Sequence, residues 1–273
     1  MILVDHPLWL FVCLLIALAG VVEVGFRLTR RAAANEDSDR HEQIVATRND
    51  VAVLLSLLLG FTLAMVLSRF DLRKQLVVDE ANAIGTTSLR AQMIPEPSRS
   101  KAQELLRQYT EVRLEFFKSG INRESFQSAL KRSEQVKTDL WQQAVVVAQQ
   151  SPGPITALFV NSLNETIDLD AKRLAALENR VPGAIWGMLV LLSLLTCLMV
   201  GYSQRQRFLP AMLVPPLMIA IVMGLIADLD TPGSGLIRTC PGAGAMRAAR
   251  PAMVAPAAKK NVKYFIDVLL QYA

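Results

Sequence analysis

Two hydrophobic patterns alternate along the chain. Residues 8–26, 51–67, 183–203 and 208–227 are apolar throughout, and Glu23 is the only charged side chain among them. A run of about 20 apolar residues crosses a bilayer as an α-helix, so each run predicts a membrane span. Between the second and third runs the apolar positions return instead at three- and four-residue intervals, as amphipathic helices require. Leu105, Tyr109, Val112 and Phe116 make one stripe. Phe126, Leu130, Ser133, Val136, Leu140, Ala144 and Val147 make a second; Ile155, Phe159, Leu163, Ile167, Leu174, Leu177 and Val181 make a third. No segment alternates with the period of a strand. The predicted fold class is all-α: four transmembrane helices, with an extramembrane helical bundle between spans two and three.

The residues between these patterns set the boundaries. The first span is followed by Arg27, Arg30 and Arg31, the reverse of signal-peptide flanks, and is read as a retained helix. Glu23 stands four residues before Arg27, a favourable helical pair near the interface. Residues 27–50 form a polar link with five Arg and five Asp/Glu. The second span runs into SRFDLRKQLVVDEANAIGTTSLRAQM without a breaker, so its helix should leave the membrane and continue to Pro95. There P-E-P stops it, and Ser100 with Gln103 offers a capping box for the next helix. Asn122 can cap the following one, which S-P-G-P at 151–154 ends. SQRQR ties spans three and four into an antiparallel hairpin with a cationic tip, and Pro210, Pro215 and Pro216 predict a kink in span four.

The expected organisation is 1–68, the first two spans (about 8–26 and 51–68) with their link; 69–182, the helical body; 183–227, the hairpin (about 183–203 and 208–227); and 228–273, a tail. The Ala/Pro/Gly bias of that tail predicts disorder for most of it, apart from a short amphipathic segment at its end.

Composition and charge chiefly exclude. The chain is 52% hydrophobic with a mean hydropathy of +0.32, which fits an integral, multi-pass protein and not a soluble enzyme. Net charge is +5, but residues 69–182 carry 16 Lys/Arg against 14 Asp/Glu, finely interleaved. That is a solvated helix surface and no nucleic-acid footprint. Cys13, Cys197 and Cys240 are far apart, and His6 and His41 are the only histidines; no metal-ligand spacing exists. No phosphate loop, dinucleotide fingerprint or nucleophile elbow is present. No cofactor, catalytic residue or metal site is expected, and the protein is read as not an enzyme.

Span two carries the most informative pattern. Ala52, Ser56, Gly60, Ala64 and Ser68 are small and recur every four residues, the spacing that lets membrane helices approach closely. Val53, Leu57, Phe61 and Met65 form a large stripe beside it. Either both stripes pack the protomer's own helices, or the small face meets a neighbouring subunit and the large face turns to a central axis. Further along, Asp79, Glu80, Asn82, Thr86, Thr87 and Arg90 are a dense polar group. Asp79, Asn82 and Thr86 share a face that either joins a buried layer with Asn164, Asp168 and Arg173 or is solvated.

The string SLLLGFTLAMVLSRF resembles the second transmembrane helix of bestrophins. VVDEANAIGTTSLRAQ, NSLNETIDLDAKR, RVPGAIW and DLDTPGSG resemble the bacterial and plant family called bestrophin-like, over about residues 1–238. The resemblance to bestrophins implies a pentameric anion channel with four spans, a helical body and a hydrophobic neck on the second span. By position that neck falls on Val53, Leu57 and Phe61. Animal bestrophins hold calcium in an acidic cluster after the fourth span. Only Asp228 and Asp230 stand here, too few for the six to eight oxygens Ca²⁺ takes, and DLDTPG is more simply a helix-terminating turn. The tail after Arg238 is unlike the family.

The functional expectation is a bestrophin-like multi-pass protein of a bacterial cytoplasmic membrane, a homo-oligomeric channel for an anion or small solute. A non-conducting scaffold or sensor acting through its helical body is the alternative. Expected partners are the lipid bilayer and further copies of the chain, with no nucleic acid. Orientation stays open. Five Arg in the 27–50 link, against none before the first span, place that link in the cytoplasm, whereas the resemblance places the body there.

Overall fold

The computed structural model describes residues 7–32, 38–118, 123–204 and 206–231. These form seven α-helices and, among the described residues, no strand: α1 (Pro7–Ala32), α2 (Ser38–Ala91), α3 (Ser98–Lys118), α4 (Arg123–Gln150), α5 (Pro154–Glu178), α6 (Gly183–Tyr202) and α7 (Leu209–Asp230). Four helices are long and apolar enough to cross a membrane. The protein is an all-α integral membrane protein carrying a helical body. The readings of Asn122 as a cap, of Arg205 in the hairpin tip and of the tail from residue 232 lie outside the described residues.

Two compact units divide the chain. The first comprises residues 1–70 and 180–237 and holds α1, the apolar part of α2, α6 and α7. Its core joins Leu18, Val22 and Phe26 to Leu55, Leu59 and Val66, and to Leu189, Cys197, Ile219, Met223 and Ile226. Lipid is as apolar as these side chains, so close packing and hydrogen bonds must hold the spans together. The closest packing is at two glycines. A Cβ on Gly25 would stand 2.3 Å from the Leu198 carbonyl oxygen, and one on Gly201 would meet the Val22 carbonyl oxygen, so α1 and α6 touch backbone to backbone. The Thr29 hydroxyl donates across the same crossing to the Tyr202 carbonyl.

Glu23 does form its helical pair, accepting from Arg27 Nε at 2.8 Å, and it also holds Arg207 of the hairpin at 2.6 Å. The Arg207 guanidinium lies 5.2 Å from the centre of the Phe26 ring. At the other end, the Asp230 carboxylate accepts from the Val181 backbone N–H at 3.1 Å, just ahead of α6. The carboxylate satisfies a buried backbone donor there, and its charge near the helix N-terminus is favourable to the dipole. α7 continues through Pro215 and Pro216.

The second unit comprises residues 71–179, with 238–273, and its described part is the rest of α2 with α3, α4 and α5. Ile84, Ile94, Leu106, Tyr109, Leu140, Val147, Phe159 and Leu163 form its core. Three boundaries differ from expectation. α2 starts at Ser38, so residues 38–50 of the expected link are helical; nothing in that stretch breaks a helix. α2 stops at Ala91, a turn before Pro95. α3 starts at Ser98, and Glu96, not a Ser100–Gln103 box, caps it by accepting from the Ser100 N–H at 3.2 Å. On α3 the predicted Tyr109 and Val112 are buried and Leu105 is half-buried against the core, and the buried face extends to Ala102, Leu106 and Arg113.

Candidate functional site

α2 contributes to both units and is the longest helix, 54 residues. Between Ser38 and Ala91 the sequence has no proline, so nothing removes a backbone donor or forces a kink. In the first unit it presents three faces. Leu55, Leu59, Thr62 and Val66 are buried in the protomer's own core. The large stripe is not: Val53, Leu57 and Phe61 are 66%, 54% and 67% exposed. The small stripe is open as well, with Ala52 half-buried and Ser56, Gly60, Ala64 and Ser68 exposed. A Cβ on Gly60 would meet nothing within 4 Å. Ser56 satisfies its hydroxyl within the helix by donating to the Ala52 carbonyl at 2.6 Å. Met65, the last member of the large stripe, packs against the core; packing within the protomer explains neither Val53, Leu57 and Phe61 nor the small stripe.

In the second unit the polar residues of α2 separate onto two faces. Asn82 and Thr86 are exposed and Asp79 is half-buried; Gln75 Nε2 donates to Asp79 Oδ1 at 2.9 Å. Asn164 and Asp168 are exposed and bond each other at 3.2 Å on α5. Arg90 is half-buried and donates to the Leu158 carbonyl at 3.0 Å. Next to Asp79 in sequence, Glu80 is fully buried. It accepts from Arg113 Nε at 2.7 Å, from the Tyr109 hydroxyl at 3.1 Å and from Arg173 Nη1.

The layer extends through Arg113 Nη1 to Asp170 Oδ1 at 2.7 Å and through Asp170 Oδ2 to Lys137 at 2.6 Å. Lys137 also binds Glu134 at 2.7 Å. A second tie, Thr87 to Thr166 at 3.0 Å, is buried beside it. Charges buried this deeply must be paired to be tolerated. Burial works against the Arg113 charge, but Glu80, Tyr109 and Asp170 outweigh it and hold its pKa above the ordinary arginine value.

Of the residues in this layer, Glu80 and Arg173 are the ones the sequence singled out for it. Tyr109 was visible as an apolar position; Arg113, Lys137 and Asp170 were not. A signal existed: Arg113 lies four residues after Tyr109, on the same helical face.

Burial, together with the nearby Glu80 carboxylate, pushes the Tyr109 phenol well above its ordinary 10.0. A raised acid pKa contributes stability that is complete below the unfolded value and lost above it. The stability gap between wild type and Tyr109→Phe should therefore hold constant below about pH 10 and narrow steadily as pH rises above it. Thermal unfolding of the full chain in detergent on both sides of that pH checks it; a constant gap would show that the phenol keeps no such dependence.

This is a four-span, all-helical membrane protein whose body is held by a buried ionic layer. Residues 16–243 match the Bestrophin-like domain family, and the chain belongs to it. No curated protein and no solved structure matches the chain.

Proposed function

We propose that this Bestrophin-like protein assembles as a closed homo-oligomer in the bilayer and conducts small ions or solutes, with Val53, Leu57 and Phe61 as a hydrophobic neck. The observation that supports it is the double exposure on α2: the small stripe, and Val53, Leu57 and Phe61 of the large one, lie outside the protomer's core. A small stripe suits close contact with a neighbouring helix, and about 100° per residue then turns the adjacent large stripe toward an axis. A ring of such side chains gates by dewetting. The similarity to bestrophins adds anions as the expected cargo. Small exposed side chains at Ser56, Gly60, Ala64 and Ser68 belong on this reading to subunit contacts.

Stoichiometry in lipid nanodiscs tests the assembly. A single closed ring is expected, and a monomer in native membrane would reject the pore. In reconstituted bilayers Phe61→Ala should raise the leak current several-fold, because removing the ring side chain widens and wets the neck. An unchanged current with normal assembly would reject the neck. A non-conducting scaffold or sensor is the second reading. The exposure of Trp141, Val145, Val146, Ile155 and Leu158 on the body favours it, and a monomeric state would support it.

A further inference from the structure

Three arginines of the first unit converge where the apolar run of α1 ends. Arg27 and Arg207 both donate to Glu23, at 2.8 and 2.6 Å, and the guanidinium carbons of Arg30 and Arg207 stand 5.8 and 5.2 Å from the centre of the Phe26 ring. The convergence is between α1 and the hairpin, not along one helix. Arg48 of α2 reaches the same end of the unit by donating to Ser203 Oγ at 3.1 Å, next to Tyr202, whose carbonyl takes the Thr29 hydroxyl.

Charge does not balance there. Among the described residues Glu23 is the one carboxylate that Arg27, Arg30 and Arg207 bond, and Asp39, Glu42 and Asp50 fall about 120–180° around α2 from Arg48. All three arginines are exposed. Arg27 gives Glu23 only its Nε and Arg207 only its Nη2, so most of their N–H donors are left over. A second feature runs from this cluster along α1. Ile16, Gly20 and Val24 are exposed and fall within about 60° of Arg27, and a Cβ on Gly20 would meet nothing within 4 Å. From Arg27 to Ile16 is about 16 Å of helix, close to the ~15 Å depth of one leaflet's hydrocarbon. Phe208 and Leu209, beside Arg207, are exposed as well.

We propose that Arg27, Arg30 and Arg207 bind the headgroup phosphate of an anionic phospholipid, whose acyl chain lies along Ile16, Gly20 and Val24. Surplus positive charge at headgroup level and an open apolar track leading from it into the hydrocarbon are the two halves of such a ligand. Basic pockets between membrane helices bind anionic headgroups, and a guanidinium offers a phosphate two parallel N–H donors. Three guanidinium groups against one carboxylate exceed the single charge of a phosphodiester. A zwitterionic headgroup, which adds an ammonium, is therefore disfavoured. Glu23 is the positioning residue: it holds Arg27 and Arg207 side by side and leaves the surplus in place. The site lies within one unit and needs neither a closed ring nor conduction.

Native mass spectrometry of the full-length protein, titrated in detergent with dioleoyl phosphatidylglycerol or dioleoyl phosphatidylcholine, tests it. Wild type should bind phosphatidylglycerol several-fold more tightly. Arg30→Gln/Arg207→Gln should lower that affinity to the phosphatidylcholine level, whereas Arg132→Gln, which removes an exposed arginine of the body, should leave it unchanged. Glycerol 3-phosphate, the phosphate without acyl chains, should not displace the lipid at equal concentration. Thermal unfolding of wild type gives a reading that needs no variant to fold: phosphatidylglycerol should raise the unfolding temperature above its value in phosphatidylcholine, and less so at high salt. Equal affinity or equal stabilisation by the two lipids, binding unmoved by the double variant, an equal loss in Arg132→Gln, or displacement by glycerol 3-phosphate would overturn the proposal.

Discussion

Glu80→Ala should unfold the body. The carboxylate is fully buried and joins Arg113, Arg173 and the Tyr109 hydroxyl. Removing it leaves two buried guanidinium groups without their shared counter-ion. Breaking a buried pair from one side costs about 3–5 kcal/mol, against a total of about 5–15 kcal/mol for a typical domain. The full chain in detergent should show a lower unfolding temperature and rapid trypsin cleavage between residues 71 and 179. Replacing Glu80 together with both of its arginines, and leaving Asp170 paired with Lys137, separates pairing from packing. Glu80→Leu with Arg113→Met and Arg173→Met leaves no unpaired charge among the three and should recover much of the loss, as apolar replacements of buried ion pairs generally do. Equal damage from the single and triple variants would mean that the ions hold a shape that apolar side chains cannot.

The same cluster marks where sequence reasoning stops. Long apolar runs specify spans because a bilayer accepts little else, so α1, α6, α7 and the middle of α2 were legible. The amphipathic stripe of α4 was legible too, with Ser133, Val136, Leu140, Ala144 and Val147 all buried. The polar layer was half-legible. Asp79 and Glu80 are neighbours in sequence yet about 100° apart on the helix, and nothing local says which points inward. That is decided by Arg113, Asp170 and Arg173, which come from other helices. α3 was legible in part: Tyr109 and Val112 of its stripe are buried and Leu105 packs against the core, but the buried Leu106 and Arg113 beside them were not foreseen. On α2 in the first unit, spacing identified the two stripes but left open whether the protomer filled them. Burial answers that, because the third face, through Leu55, Leu59 and Val66, packs the core.

Gly201→Val should separate α1 from α6. The two helices meet where neither has a side chain, and the atoms that a Cβ at Gly201 would strike are the Val22 carbonyl and the Phe26 nitrogen. Backbone of a packed helix cannot swing aside as the end of a flexible side chain can, so the crossing must open along its length. Overpacking of this kind costs about 1–3 kcal/mol and sometimes more; valine adds two methyl groups beyond the Cβ. Opening the crossing also breaks the Thr29 bond to the Tyr202 carbonyl. Gly25→Ala strikes the opposite side of the same crossing, at the Leu198 carbonyl, and should be damaging in its own right. Gly187→Ala is the control, since a Cβ there meets nothing within 4 Å on the same helix α6. Size-exclusion profile and unfolding temperature in detergent should rank Gly187→Ala with wild type, Gly25→Ala below it and Gly201→Val lowest. Disulfide cross-linking of cysteine pairs placed along α1 and α6 should fail in Gly201→Val alone of the wild-type, Gly187→Ala and Gly201→Val proteins. Efficient cross-linking in that variant would mean that the spans meet elsewhere, because two helices in van der Waals contact at these glycines have no room for a valine between them.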